Sequence, residues 1–583
     1  MNKNFLATTA LEEFWDKKAT NGLFLGEWCK LYNRKEEYGK LRFHTLEYNW
    51  KKKENIDNGI NFCDDMYKEV LIELIDILNR YNNVNKGYKY WDILLRPWLL
   101  IYIQVLYDRY THLKKANDTY KNIYTYTIDE TNYQFVTTPN IYKNLIMNDD
   151  WYNLQIYSQI VKFLDMKFIN KPFEKKLQAD DINYNSSIKE KLLRKITTIV
   201  NQIFHTKTVL ISAPYFKEDT ISKTIYLWFK SRFVFVFDNF RYDISVKKKI
   251  DIQTRKKLFK EKTQEKSFKN LVFNTFIYNF PTIYLENYLE FSQKVEELKI
   301  VVPHVSCTSQ LIHGNEIFKF FIANNYNNLK KCYGQHGGGY GIDFINVPEE
   351  IEKNYADIFY SYGWKDKNVK PLAMSYNQIK KFKDNGKVNL VLNNMARYFC
   401  RFTYQPESTK GLDNIKNVES FLKELNIVKH FVIRLYPSDF NISVKKRLLE
   451  IKDNLVFDNK TNYYKQIKES RLNVFSHLST GYLETLAINK PTMIIAPKDS
   501  YYFRERAKPY IQLLKDANIL FENPLEAAEF VEKIYDNVTD WWQSDNVQKA
   551  REEFCYQYAR TSKNWASDWV KEFNSILEDN ARN

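Results

Sequence analysis

The chain has 583 residues, 44% hydrophobic and 27% charged, with a formal charge of +16. That composition supports packed cores in two large domains and excludes a disordered chain, while the positive field favours anionic partners such as nucleotides, lipid head groups or nucleic acid. Six cysteines (Cys29, Cys63, Cys307, Cys332, Cys400, Cys555) are scattered without Cys-x-x-Cys spacing, which excludes a zinc ribbon or a disulfide scaffold and leaves free thiols in a reducing cytoplasm.

In chain order, Met1 to Thr9 is too short and polar for a signal peptide, and Phe5-Leu6-Ala7 reads as a short buried strand. It leads through Thr8-Thr9 into a helix-like Leu11 to Trp15, and Leu23 to Cys29 reads as a loop. Val70, Leu71, Leu74, Ile75 and Leu78 have helical spacing. Trp91 to Tyr110 reads as a helix pair or a helix kinked at Pro97; its most apolar part, Trp98 to Leu106, is about half a membrane span, so no transmembrane helix is expected. Residues 115–205 are polar and irregular, with a helical stretch near 188–204. Strand-like runs follow at Val209 to Ser212, Phe233 to Phe237, Ile300 to Val302 and Ile358 to Tyr360. Between them, 245–270 is densely basic (Lys247, Lys248, Lys249, Arg255, Lys256, Lys257, Lys260, Lys262, Lys266, Lys269), as expected of a solvated helix face or an anionic-surface patch.

A polar break at Gln378 to Lys387 marks a domain boundary at about 376–388. Strands then recur at Val388 to Leu392, Phe431 to Leu435, Leu455 to Phe457, Leu472 to Phe475 and Met493 to Ile495, separated by helical segments. Strands alternating with helices predict a doubly wound parallel sheet. The tail from Trp541 to about Leu577 is helical and aromatic.

Four constellations could carry chemistry. After the strand Leu472 to Phe475 comes Ser476-His477-Leu478-Ser479-Thr480-Gly481-Tyr482-Leu483-Glu484. This turn puts Ser479, Thr480 and the Gly481 amide at a helix N-terminus, where free N–H groups and the helix dipole attract phosphate. Glu484, one turn in, is a candidate for ribose hydroxyls; a plain N-cap is the bland alternative. Gly334-Gln335-His336-Gly337-Gly338-Gly339-Tyr340-Gly341-Ile342-Asp343 gathers five of the 15 glycines within eight residues, a turn that lets backbone approach a ligand, with His336 as acid, base or phosphate donor. Arg434, in Ile433-Arg434-Leu435-Tyr436-Pro437, falls at a strand's carboxyl end and is placed to pair with phosphate. Near the start, Thr8, Thr9, Glu12, Glu27 and Trp28 are candidates for the opposite wall of a cleft.

This order of glycine-rich His loop, domain restart, strand-Arg-x-x-Pro and strand-x-x-Ser-Thr-x-x-x-Glu resembles the GT-B glycosyltransferases of bacterial surface-polymer synthesis, among them the capsule Kdo and nonulosonate transferases and the CDP-glycerol glycerophosphotransferases. Phe5 to Trp15 with Leu25-Gly26-Glu27-Trp28-Cys29 looks more narrowly like a family of transferases from O-antigen and capsule loci, over nearly the whole chain. The resemblance implies an α/β GT-B architecture of two Rossmann-like domains facing a cleft: 1–376 on the acceptor side with a helical insertion at about 50–205, 388–540 binding the nucleotide-sugar, and helices 541–583 packing back on the first domain. It implies a catalytic role for His336; the candidates for proton handling are His336, Asp343 and Glu27, in that order. Donor contacts would come from Gln335, Gly337, Gly338, Arg434, Tyr436, Pro437, His477, Ser479, Thr480, Gly481 and Glu484, and acceptor contacts from Thr8, Thr9, Glu12 and Trp28. Tyr436-Pro437 stands where the pattern has His-Pro, so a histidine contact to the donor is missing there. No metal and no cofactor are expected, the nucleotide-sugar being a substrate.

The expected function is transfer of an acidic sugar (a nonulosonate or Kdo) from a CMP-activated donor to a capsule or O-antigen glycan, lipid-linked, in the cytoplasm with peripheral contact to an anionic membrane. The alternatives are a CDP-glycerol or ribitol-type polyol-phosphate transferase and a non-catalytic surface-assembly or nucleic-acid-binding protein.

Overall fold

The computed structural model describes residues 4–172, 180–192, 194–195, 199, 207–214, 231, 233–259, 265–376, 383–403 and 409–579. Three parallel sheets organise the chain, joined at its centre by a long helical hairpin. The first sheet runs β3-β2-β1-β4-β5, from β1 (Asn4–Ala7), β2 (Asn21–Phe24), β3 (Phe43–Thr45), β4 (Ile123–Thr127) and β5 (Lys167–Asn170). A two-stranded antiparallel ribbon pairs β6 (Ile182–Tyr184) with β9 (Ile244–Val246). The second sheet has six strands, β13-β12-β11-β10-β7-β8, from β7 (Thr208–Ser212), β8 (Val234–Phe237), β10 (Val305–Thr308), β11 (Lys330–Gly334), β12 (Ile358–Ser361) and β13 (Val369–Pro371). The third runs β16-β15-β14-β17-β18-β19, from β14 (Val388–Val391), β15 (Phe431–Arg434), β16 (Val456–Phe457), β17 (Leu472–Phe475), β18 (Thr492–Ile495) and β19 (Leu520–Phe521). Its order, counted within the sheet, is the 3-2-1-4-5-6 of a dinucleotide-binding fold, whose ligand crevice lies beyond the carboxyl ends of its first and fourth strands, here β14 and β17.

The α/β architecture with parallel sheets is as expected. The region expected to hold one Rossmann-like sheet with a helical insertion holds two parallel sheets. β4 and β5 fall inside the polar stretch 115–205 and close the first sheet; Ile-Tyr-Thr-Tyr-Thr and Lys-Phe-Ile-Asn give no continuous hydrophobic run that would announce them. The run Ile300 to Val302 is not a strand: Pro303 follows, Val301 and Val302 are exposed, and β10 begins only at Val305. Residues 377–382 of the polar break lie outside the described residues, as does most of the stretch near 193–204.

The hairpin consists of helices Lys53–Asn82 and Tyr88–Thr119. On the first, Val70, Leu71, Leu74 and Leu78 form the buried stripe that their spacing demands. The second is a single helix with Pro97 inside it and is buried nearly all round, so it serves as a shared core element. Tyr355 reaches it from the second unit, donating to Asp92, which also accepts from Tyr67 at 2.5 Å and pairs with Arg96. From the third unit, residues 392–403 after β14 cross to the first. Arg397 donates to the Trp28 carbonyl (2.7 Å) and pairs with Asp150 (2.5 Å), Tyr398 also donates to Asp150, Arg109 donates to the Phe399 carbonyl, and the Phe402 ring seats over Gly59. This strap locks the third sheet to the first. The tail helix Trp565–Asp579 covers the second sheet, with Trp569 and Phe573 against Phe233, Phe235 and Tyr360.

Candidate functional site

The third sheet builds one wall. β17 ends at Phe475, and after a short turn the helix Thr480–Ala487 begins, with Ser479 in extended backbone at its N-cap. Ser479 makes no side-chain cap, so the plain-cap alternative does not hold. Among the described residues, the amides of Ser479, Thr480 and Gly481 have no hydrogen-bond acceptor. All three residues are half-buried. An uncapped, partly exposed helix start of this kind carries a fixed positive potential that suits an anion.

Arg434, the last residue of β15, lies across one tyrosine ring from that helix start. Its guanidinium sits 5.4 Å from the Tyr463 ring centre, and the Tyr463 hydroxyl is 2.6 Å from where a Cβ on Gly481 would stand. Nη1 donates to the Thr461 carbonyl (2.9 Å) and to Gln466 Oε1 (2.8 Å), and these are its only hydrogen bonds among the described residues. The two contacts aim the fork and leave charge and donors available. Tyr436 is exposed and stacks on Phe440, with Pro437 exposed beside it, at the rim of the same strand end.

The second sheet supplies the facing wall. The glycine loop leaves β11 and lies directly on the uncapped helix start: a Cβ on Gly338 would stand 2.2 Å from the Ser479 carbonyl oxygen and 3.0 Å from the Thr480 nitrogen. Glycine is needed there for close approach of two backbones. The Thr480 hydroxyl lies 3.5 Å from the His336 carbonyl and the Tyr482 hydroxyl 3.4 Å from the Gly338 carbonyl. His336 and Gly337 stay half-buried at the junction. Burial lowers the His336 imidazole to about 4, so at neutral pH it is uncharged and can accept a proton.

The structure therefore brings His336, Gly337, Gly338, Ser479, Thr480 and Gly481 together from two sheets, with Arg434 one tyrosine ring away from Gly481. Other expected contacts are corrected. Gln335 is buried and braces the loop, donating to the Gly337 carbonyl and accepting from the Tyr362 amide and the Trp364 indole. Asp343 is buried beneath Gly339 and forms a backbone bridge with Phe503, so it has no surface for an acceptor. His477 is buried beside Phe475, which pushes its ring to about 4. Glu484 lies one turn beneath the exposed helix start, 1% exposed and facing Tyr376, whose phenol its charge pushes up after burial itself; it has no route to a ribose.

The expected acceptor wall is corrected too. Thr8, Thr9 and Trp28 are buried in the first unit, the two threonine carbonyls accepting from the Trp28 and Trp15 indoles. Glu12 is paired with Arg34 and Lys17, and Glu27 with Lys30. These residues sit at the carboxyl end of β1 and β2, where Arg397 of the strap reaches the Trp28 carbonyl. In the basic segment, Arg255 is fully buried and forks onto Glu286, so it is a core brace; Lys260 and Lys262 lie outside the described residues.

Sequence reasoning missed three groups around His336. Glu352, on the helix Val347–Tyr355, is fully buried with Oε1 3.5 Å from His336 Nδ1, 3.1 Å from the Tyr340 hydroxyl and 2.7 Å from His313 Nε2. With only eight histidines in the chain, His313 was a findable signal. Glu352 was not, because Pro348-Glu349-Glu350-Ile351-Glu352 reads as an ordinary acidic helix start. Among the described residues, no group of three or more His, Cys, Asp or Glu side chains could hold a metal ion, and no helix is long and apolar enough to cross a membrane.

Comparison with known proteins adds the family. A family model described as LIC12162 family transferase matches residues 4–573, and the chain belongs to that family. No curated protein matches it. Among solved structures, it is similar over 49% of its length to TarM, spanning 57% of that chain, at 16% identity and a TM-score of 0.30. It is similar over 64% of its length to 99% of a glycosyltransferase from Rickettsia africae (10% identity, TM-score 0.32). It is also similar over 59% of its length to 97% of the UDP-GlcNAc 2-epimerase of Methanocaldococcus jannaschii, determined with UDP-GlcNAc and UDP (11% identity, TM-score 0.31).

Proposed function

We propose that this LIC12162 family transferase is a glycosyltransferase that moves a sugar from a nucleotide-activated donor to a glycan hydroxyl. The observation that carries the reading is the uncapped helix start at Ser479–Thr480, beside the guanidinium of Arg434 and against the glycine loop that presents His336. The amides and Arg434 would hold the donor phosphate and neutralise it as it departs. The acceptor oxygen would attack the anomeric carbon, the bond from that carbon to the phosphate oxygen would break with its electron pair leaving on the nucleotide, and the hydroxyl proton would pass to His336. A neutral imidazole at the junction suits that role. The strap holds the units close, which favours a water-poor site and limits donor hydrolysis.

The finer reading is a CMP-linked acidic sugar donor and a capsule or O-antigen acceptor, reached at the inner face of an anionic membrane by a protein of charge +16. The motif order read in the sequence supports it. Thermal shift with CMP, CDP, UDP and GDP tests it, since a ligand that binds the folded state raises its melting temperature by mass action. CMP is expected to give the largest shift. A larger shift with CDP would move the reading to polyol-phosphate transfer, and no shift with any of the four would refute the nucleotide site.

A further inference from the structure

Glu352 and the three groups around it come from three separate segments, all beyond the carboxyl ends of the second sheet's strands. His313 ends a turn that follows β10, His336 and Tyr340 lie in the loop after β11, and Glu352 projects from the helix Val347–Tyr355. One carboxylate oxygen, Glu352 Oε1, is shared by His313, Tyr340 and His336 at 2.7, 3.1 and 3.5 Å, while Oε2 is buried with no partner among the described residues. The Tyr340 hydroxyl also lies 3.3 Å from His336 Nδ1 and 3.4 Å from Nε2, so it restrains the ring without choosing between its nitrogens, and the choice falls to Glu352 beside Nδ1.

Glu349, one turn earlier on the same helix, shows what a structural acid looks like here. It is forked by Arg504 at 2.8 and 3.1 Å, sits 3.8 Å from Lys353, and accepts from the Gly341 amide. Among the described residues Glu352 pairs with no lysine or arginine; its polar neighbours are two imidazoles and a phenol. A fully buried carboxyl without a cation is expensive as an anion, so it holds a proton or shares one with its histidines. Burial, then the charge of Glu349, pushes Glu352 well above the usual carboxylate range, and burial pushes His313 and His336 down. Lys143, Arg401 and Lys319 add positive potential at His313. A second contact restrains His336 from the other side, where its ring donates to the Ser309 backbone carbonyl.

We infer that Glu352 is a positioning residue for His336: acting together with His313 and Tyr340, it fixes the orientation of the His336 ring and which ring nitrogen faces the junction. The inference rests on the transferase reading only for what His336 does; the geometry stands without it. When His336 takes a proton, the nearest acid is Glu352, 3.5 Å away, and it faces the new charge as an anion only once its own proton has passed to His313, 2.7 Å from the same oxygen. A buried acid sharing one oxygen between two histidines is suited to that task in a way that the saturated Glu349 is not.

The test is ring-nitrogen NMR of the full chain labelled with 15N-histidine, with His336 assigned from the spectrum of His336→Gln. The wild type is expected to show one His336 tautomer at pH 7.5. Glu352→Gln, which keeps the shape but adds an N–H donor, is expected to move His336 to the other tautomer or to a mixture. His313→Gln, which removes one of the two imidazoles on Glu352 Oε1 and leaves the His336 side chain itself unaltered, its ring centre 6.4 Å away, is expected to disturb the His336 signals in the same direction. An unchanged His336 pattern in a folded His313→Gln protein overturns the inference, even where Glu352→Gln fails to fold. Because no substrate enters, a protein that binds no nucleotide but changes its His336 tautomer refutes the transferase reading and leaves this one standing.

Discussion

A single methyl group at Gly338 probes the contact on which the site depends. A Cβ there would stand 2.2 Å from the Ser479 carbonyl oxygen, 2.4 Å from its carbon and 3.0 Å from the Thr480 nitrogen. Carbon and oxygen need roughly 1 Å more than that to reach an ordinary contact. The obstacle is backbone, so no rotamer change relieves it, and the loop and the helix start must part. Gly337→Ala is a milder neighbour, because its Cβ would meet the edge of the Tyr340 ring at 2.9 Å and a side chain can give way. Gly39→Ala is the control, having helical dihedrals and only the Glu36 carbonyl at 3.8 Å. Overpacking of this kind costs about 1–3 kcal/mol, whereas a neutral surface change stays within about 0.5 kcal/mol. Urea unfolding should therefore rank Gly338→Ala as most destabilised, Gly337→Ala next and Gly39→Ala unchanged, and Gly338→Ala should also lose the CMP-induced thermal shift. Wild-type stability together with a wild-type CMP shift in Gly338→Ala would refute the argument that this backbone contact builds the site.

Arg434→Met should weaken nucleotide binding by about 10–100-fold, the worth of one hydrogen-bonded charge on phosphate, while unfolding changes little; calorimetric titration reads this directly. Arg397→Ala leaves the half-buried Asp150 with Tyr398 and the Ala10 amide as partners and removes a donor from the Trp28 carbonyl, so chemical denaturation should show a loss of about 1–3 kcal/mol. His477 is held at about 4 when folded against about 6.5 when unfolded, so below pH 6.5 the unfolded chain binds the extra proton and stability falls towards pH 4. That contribution is about 2 kcal/mol between pH 7 and pH 5. The informative quantity is the difference between wild type and His477→Phe, whose stability should depend less on pH by that amount.

The third sheet was the most legible part of the chain. Its strands are continuous apolar runs because both faces are covered, and the break before Val388 isolates them. The turn after β17 and the strand end at Arg434 were legible for the same reason, since a parallel sheet puts both at one edge. The first sheet was not. Its strands are short, and β4 and β5 are separated from β1 by more than a hundred residues of helix and loop that no local pattern bridges. Thr8, Thr9 and Trp28 were read as cleft residues because nothing in their neighbourhood announces that Arg397, far along the chain, reaches the Trp28 carbonyl.

Composition, hydrophobic period and the glycine cluster determined by themselves that this is an α/β chain with a glycine-rich loop and a helix start after a strand near Phe475. Those features are local: they depend on the spacing of a few consecutive residues and on what glycine and a helix start can do. Only the tertiary structure decided which polar residues face outward. Whether Glu484 meets a ribose or Tyr376, whether Asp343 serves chemistry or a loop, and that Glu352 gathers two histidines, depend on neighbours brought close from other segments, and burial by those neighbours sets both access and charge.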